Sequence, residues 1–325
     1  MGRIGGSFYP THIEPSPQDC NILLMMDTSA NALKKVASIA NWRQKFDIVA
    51  AYVEDCWLLD SFPHAVKQFD RLFIPHVEFQ SQLEQQLNIP VSVLPCAFDV
   101  LTHGAGIKPR TVDVFSYGRT PRNYYLELQS ILNAAGSGCF YYHQTFDQKE
   151  LFPKLTYCSE RFDYLHRLQL KKLLKRSKLT LAFDFSYTVP RAALHESMKF
   201  HPSHKCGQSV LNRRWFEGAA AGTVLVGKRP QTEMMSQYFD WEDATIELPD
   251  QPAEGAELIQ DLLSDRERLE AVSQRNYVQS LAKNDWRLRI RDMLKQLDIP
   301  LPSGLELELE QLQRKIHSLR PSLAT

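Results

Sequence analysis

Short apolar runs alternate with stretches of helical period from Asn21 onward, and that alternation leaves few folds open to the chain. The runs are Asn21–Met26, Asp47–Val53, Phe69–Ile74, Pro90–Leu94, Val112–Tyr117, Gly138–Tyr142, Leu179–Phe183 and Thr223–Val226. Between or after them, residues 30–43, 78–87, 124–135, 159–178, 255–263 and 265–283 read as helices. Strands separated by helices at this spacing predict parallel sheets covered on their faces, and their continuous apolar character predicts buried strands. The stretch Thr102–Pro109 holds two glycines and a proline without a period, so it reads as a linker. The expected organisation is an irregular arm over 1–20, a short Rossmann-like domain over 21–105, a second over 106–290 and a helical tail over 291–325.

Lysine plus arginine and aspartate plus glutamate each total 38 in the 325 residues, so no global field draws the protein to nucleic acid or anionic lipid. Anion binding must be local. No apolar run approaches the ~20 residues needed to span a bilayer, and the first ten residues lack the apolar core of a signal peptide. The 6 cysteines form no CxxC pair or zinc spacing. They read as reduced thiols in a cytoplasmic protein without a structural metal.

The densest chemistry lies in residues 203–227, which read as loop, helix, turn and strand. Ser209 or Asn212 can cap the helix, because their side chains accept its orphan backbone N–H groups. Gly222 suits the position just past the helix, where a positive φ is cheap for glycine. Arg213, Arg214 and Glu217 fall within about a turn of one another, which equips the helix start for an anionic, hydroxyl-bearing ligand.

In open α/β sheets, ligands sit beyond the carboxyl ends of the strands. That rule selects Asp27–Ser29, Glu54–Asp55, Gly118–Arg122 and the approach to Arg213. Gly118 lets a ligand near the backbone, and Arg119 and Arg122 add guanidinium forks for phosphate oxygens. Asp55, after a strand, is the leading candidate for a base or acceptor-orienting group, with His76 and His64 as alternatives.

Arg214–Val226 resembles the "R-x-FE-x-x-A-x-G-x-x-L-x" signature of glycosyltransferases with two Rossmann-like domains, the GT-B fold, closest to the spore-maturation type. Val93–Asp99 is similar to the "LPxGxD" close of their first domain. Phe115–Arg119 resembles the Gly-Arg turn that opens the second, and Asp285–Leu294 resembles the "H-x-W-x-x-R-x-x-x-ML" helix. The resemblance implies an α/β protein of two such domains facing each other across a cleft, moving a sugar of hexose type from a nucleotide-diphosphate donor to an acceptor hydroxyl. It further implies retention of anomeric configuration and no metal. Glu217 would accept the ribose hydroxyls, Arg119 with Arg122 or an arginine of the 213–214 pair would neutralise the diphosphate, and Gly118, Ser209 and Asn212 would complete the donor site.

Two departures stand against the pattern. Many relatives carry a second glutamate eight positions before the ribose-binding one, where this chain has Ser209, and the first domain is short. A catalytically silent nucleotide-sugar-binding or scaffold protein, or a nucleotide-sugar epimerase, is the alternative. The basic run Arg167, Lys171, Lys172, Lys175, Arg176 and Lys178 reads as a solvated face, with peripheral membrane contact through 161–178 as the sharper use. Leu305, Leu309, Leu312, Ile316 and Leu319 make the tail an amphipathic helix, for packing or self-association.

Overall fold

The structure, a computed structural model, describes residues 20–118, 121–144, 159–184 and 209–319; the side chains of 122, 123 and 159–165 lie outside that description. The chain divides into two compact units, one of residues up to 74 with 80–92, the other of 75–79 with 93–325. Each holds its own sheet, as two Rossmann-like domains require.

The first sheet has the order β1-β2-β3-β4, with β1 Ile22–Ser29, β2 Ile48–Asp55, β3 Arg71–Ile74 and β4 Val91–Val93. β1–β2 and β2–β3 are parallel. Among the described residues, strand order advances in one direction, so no switch point arises among these four strands. β2 is buried on both faces, but β1 is an edge strand: Ile22, Leu24 and Met26 are exposed while Leu23 and Met25 are half-buried. The expected fully buried first strand is thereby corrected, since an apolar run does not specify whether both faces are covered.

The stretch expected as one helix from 30 to 43 is a 3-10 helix, Ala30–Ser38, followed by a single α-turn, Trp42–Lys45, with Asn41 left-handed between them. Its buried residues Ala30, Leu33 and Val36 recur every third position, the spacing at which 3-10 side chains eclipse. Helix α1, Gln80–Leu87, buries Leu83 and Leu87.

The second sheet has the order β6-β5-β7-β8-β9, with β5 Val112–Tyr117, β6 Tyr141–Gln144, β7 Ser177–Phe183, β8 Val224–Lys228 and β9 Ile246–Glu247, all pairs parallel. The chain leaves β5 for one edge and returns to pair β7 on the other side. The carboxyl ends of β5 and β7 therefore flank a topological switch point, the place where open α/β sheets bind ligands.

Helices cover both faces of this sheet. On one, Leu128 and Leu132 of α2 (Arg122–Leu132), Ile259 of α6 (Pro252–Ser264) and Val272 of α7 (Arg266–Lys283) pack with Val114, Leu181 and Val226. On the other, Leu170 and Leu174 of α3 (Ser159–Lys175) meet Phe115 and Tyr117. Beside them, Trp215, Phe216 and Ala219 of α4 (Arg213–Ala220) pack with Leu225 and with Met234 and Met235 of α5 (Glu233–Tyr238).

Gly218 permits the close seat of α4: a Cβ there would lie 2.5 Å from Leu225 Cδ2 and 3.2 Å from Thr223 Oγ1. Gly222 takes the expected left-handed turn past the helix, at φ +64. Arg110 holds that end. Its guanidinium donates to the carbonyl oxygens of Ala221 at 3.0 Å and Gly222 at 2.7 Å, to Ser273 Oγ at 3.1 Å and to the Ser177 carbonyl.

Helices α8 (Trp286–Gln296) and α9 (Ser303–Leu319) close the second unit. The apolar stripe of α9 is occupied within the chain, with Leu312 and Ile316 packed against Val100, Leu281 and Leu288. The sequence expectation placed the domain join at 105, whereas residues 93–105 fall within the second unit. There Phe98 exchanges backbone hydrogen bonds of 3.0 Å with Asn284 and Trp286, Leu101 N–H donates to Asp285, and Arg289 donates to the Pro95 carbonyl. Arg287 adds ion pairs to Asp99 at 2.7 Å, Asp285 at 3.1 Å and Glu308 at 2.6 Å.

Candidate functional site

The switch point of the second sheet carries the candidate site. Asn212 caps α4 as expected: its side chain accepts from the Arg214 amide at 3.1 Å and donates to the Phe183 carbonyl at 3.3 Å. One asparagine thus satisfies an orphan N–H and ties the helix start to the end of β7.

With the helix so placed, Glu217 projects beside the last residue of β5. The Tyr117 hydroxyl donates to Glu217 Oε2 at 2.8 Å, and Arg167 Nη1 of α3 approaches Oε1 at 3.5 Å. Glu217 is only 6% exposed, so these partners supply much of what water would otherwise give its charge. Burial, then the neighbouring Glu217 charge and the hydrogen bond to it, push the Tyr117 phenol well above its ordinary range, and the Arg214 and Arg167 charges oppose that shift. Tyr117 is therefore a neutral donor at any ordinary pH.

Arg214 Nη1 donates to the Tyr117 carbonyl at 3.4 Å, and Gly118 beside it is left-handed at φ +67. The structure thus brings together Gly118, Asn212, Arg214 and Glu217 among the residues expected from the sequence. It adds Tyr117, expected from the sequence only as a strand residue, and Arg167, expected within a solvated or membrane-facing basic run. That run is partly engaged inside the chain, since Lys171 lies over the Phe98 ring at 5.7 Å.

Other candidates stand elsewhere or in structural roles. Ser209 Oγ accepts from the Gln231 amide at 2.5 Å, so its hydroxyl secures a loop. Arg213 is half-buried in the first turn of α4. Arg119 and the side chain of Arg122 lie outside the described residues.

Asp55 is the last residue of β2, in the first unit, in register with Ser29. His76 belongs to the second unit, 2% exposed, with its ring edge-on to Phe79 at 6.3 Å. Burial lowers its pKa to about 4, so it is neutral at ordinary pH and its setting suits packing better than proton transfer. Sequence reasoning also passed over Asp184, which follows β7, is 1% exposed and accepts from the Val210 amide at 3.2 Å. A carboxylate directly after a strand at a switch point was the available signal.

Residues 158–295 match the family model described as glycosyl transferase-like. The glycosyl transferase-like region spans α3, β7, α4 and the helices through α8, and so contains Arg167, Arg214 and Glu217. No curated protein matches the chain. Among solved structures, it is similar to the accessory secretory protein 1,2 and 3 structure from Streptococcus pneumoniae, with TM-score 0.42, 9% identity and coverage of 93% of this chain and 54% of that one. It is also similar to the Glycosylation Associate Protein (Gap123) complex from Streptococcus agalactiae, with TM-score 0.40, 11% identity and coverage of 92% and 54%. The chain spans about half the length of these solved structures.

Among the described residues, no three His, Cys, Asp or Glu side chains come near enough to hold a metal ion, and no helix is long and apolar enough to cross a membrane. The four described cysteines, Cys20, Cys56, Cys96 and Cys139, form no disulfide with one another.

Proposed function

We propose that this chain transfers a sugar, read as a hexose, from a nucleoside-diphosphate sugar to an acceptor hydroxyl. One observation carries the reading: a nearly buried carboxylate, Glu217, fixed by Tyr117 and approached by the Arg167 guanidinium, with the Arg214 guanidinium on the Tyr117 carbonyl, beside the switch point of a parallel sheet. A fixed acceptor on a rigid helix suits the two hydroxyls of a ribose. Arg214, whose guanidinium donates to a backbone carbonyl, leaves positive charge for phosphate oxygens. The glycosyl transferase-like match over 158–295 supports glycosyl transfer in general.

In this reading Glu217 accepts from the ribose. Arg214, with Arg213, Arg119 and Arg122, takes the diphosphate. The bond from the anomeric carbon to the diphosphate oxygen breaks, and the charge left on that oxygen is stabilised by guanidiniums and by the first-turn N–H groups of α4, a role that needs no metal. The configuration is retained. Asp55, at the carboxyl end of β2, is the candidate to orient the acceptor hydroxyl or take its proton.

The test is calorimetric titration of the full chain with adenosine, guanosine, uridine and cytidine diphosphates, repeated with Glu217→Ala. Loss of a charge-assisted acceptor predicts binding weaker by roughly tenfold or more, with unchanged circular dichroism. Equal affinity in the variant overturns the assignment. Release of free sugar from a matched sugar nucleotide then distinguishes an enzyme from a binding subunit.

A further inference from the structure

The two oxygens of Glu217 are held unequally. Oε2 accepts a 2.8 Å bond from the phenol of Tyr117, whose ring is buried against Leu170 and Leu174. Oε1 has a 3.5 Å contact with Arg167, long for a bond between two charged groups, which closes to about 2.7–2.9 Å when optimised. The exposures differ as sharply: 8% for the Glu217 side chain and 49% for Arg167. Among the described side chains, the one on Oε1 is therefore itself half in solvent, on a stem of rotatable bonds.

The backbone beneath it is fixed, because Leu170 and Leu174, further along α3, are buried in the core. Arg167 can leave by changing rotamer while its helix stays in place.

We propose that Arg167 is a displaceable cover on Glu217 that also selects the ligand: ribose hydroxyls take Oε1, and the released guanidinium moves to the diphosphate. This rests on the reading of Glu217 as the ribose acceptor. A plain nucleoside must displace the arginine and offers it nothing in return. A nucleoside diphosphate supplies the oxygens that the arginine then engages. Discrimination for the phosphorylated ligand is thus built into the competition for one carboxylate oxygen, in addition to any attraction from Arg214.

The test compares wild type, Arg167→Ala, Arg167→Lys and Glu217→Ala by calorimetric titration with the four ribonucleosides and their 5′-diphosphates, each variant first checked by circular dichroism. The proposal expects opposite signs in Arg167→Ala: nucleoside affinity rises, by roughly threefold or more, and diphosphate affinity falls by about tenfold. Arg167→Lys should keep most of the diphosphate affinity. If nucleoside and diphosphate affinity fall together, or neither changes while Glu217→Ala still loses binding, the cover role is wrong and the ribose role stands. If Glu217→Ala binds as wild type does, both fail.

Discussion

The phenol of Tyr117 and the carboxylate of Glu217 stand 100 positions apart in the chain and 2.8 Å apart in space, one at the end of a strand and the other on a helix. That bond sets which oxygen of Glu217 is available to anything else.

Removing the donor should therefore cost both stability and binding. Tyr117→Phe leaves Oε2 of a nearly buried carboxylate without its phenol, an expected loss of about 1–3 kcal/mol read by urea denaturation, together with weaker nucleoside diphosphate binding. The same bond predicts alkaline sensitivity. The phenol's pKa is raised above 10.0 in the folded state, so above that pH the unfolded chain gives up its proton first and folding weakens as pH climbs. Tyr117→Phe should flatten that part of the decline.

Acid weakens the fold through a different group. His76 has its pKa lowered from 6.5 to about 4, so the unfolded chain takes up a proton first as pH falls through that window. Stability should drop between those values, by a term on the order of 3 kcal/mol at the acid end. The difference between wild type and His76→Leu in denaturant melts from pH 7 to 4 isolates it. A constant difference across that range would show that His76 does not titrate in this way.

Gly227 of β8 pairs with Ala182 of β7, and a Cβ on it would lie 1.6 Å from the Ala182 carbonyl oxygen. Backbone cannot give way as a side chain can, so Gly227→Ala should yield insoluble or unfolded protein. By contrast, a Cβ on Gly304 meets nothing within 4 Å, and Gly304→Ala, in the first turn of α9, should be neutral or slightly stabilising in thermal melts.

Arg287 joins Asp99, the fully buried Asp285 and Glu308 of the tail helix. Arg287→Met removes the countercharge of a buried carboxylate, which among the described residues keeps only backbone N–H donors, and should cost about 3 kcal/mol in chemical denaturation. Faster proteolysis of the tail helix should accompany it.

Much of the second unit was legible because its strands are short apolar runs bounded by polar turns, and because Asn212 and Gly222 mark helix ends by local chemistry alone. β1 was less so. Its run reads the same whether one face or two are covered, and coverage is decided by residues distant in sequence. Ala30, Leu33 and Val36 fit the α and 3-10 periods alike over so short a span. At the site, Glu217 and Arg214 share one helical turn and can be paired from spacing. Tyr117 and Arg167 reach Glu217 from two other elements, and no local pattern announces a contact made only by tertiary packing.

Helix α4 is tied at both ends, by Asn212 to the Phe183 carbonyl and by Arg110 to the carbonyls of Ala221 and Gly222. In mechanical terms it is a beam clamped at each support, unable to slide along its axis like a piston. Occupancy of the candidate site is therefore poorly suited to being reported by a shift of the helix that carries Glu217. Side chains that can change rotamer, such as the half-exposed Arg167, are the parts of this site left to move.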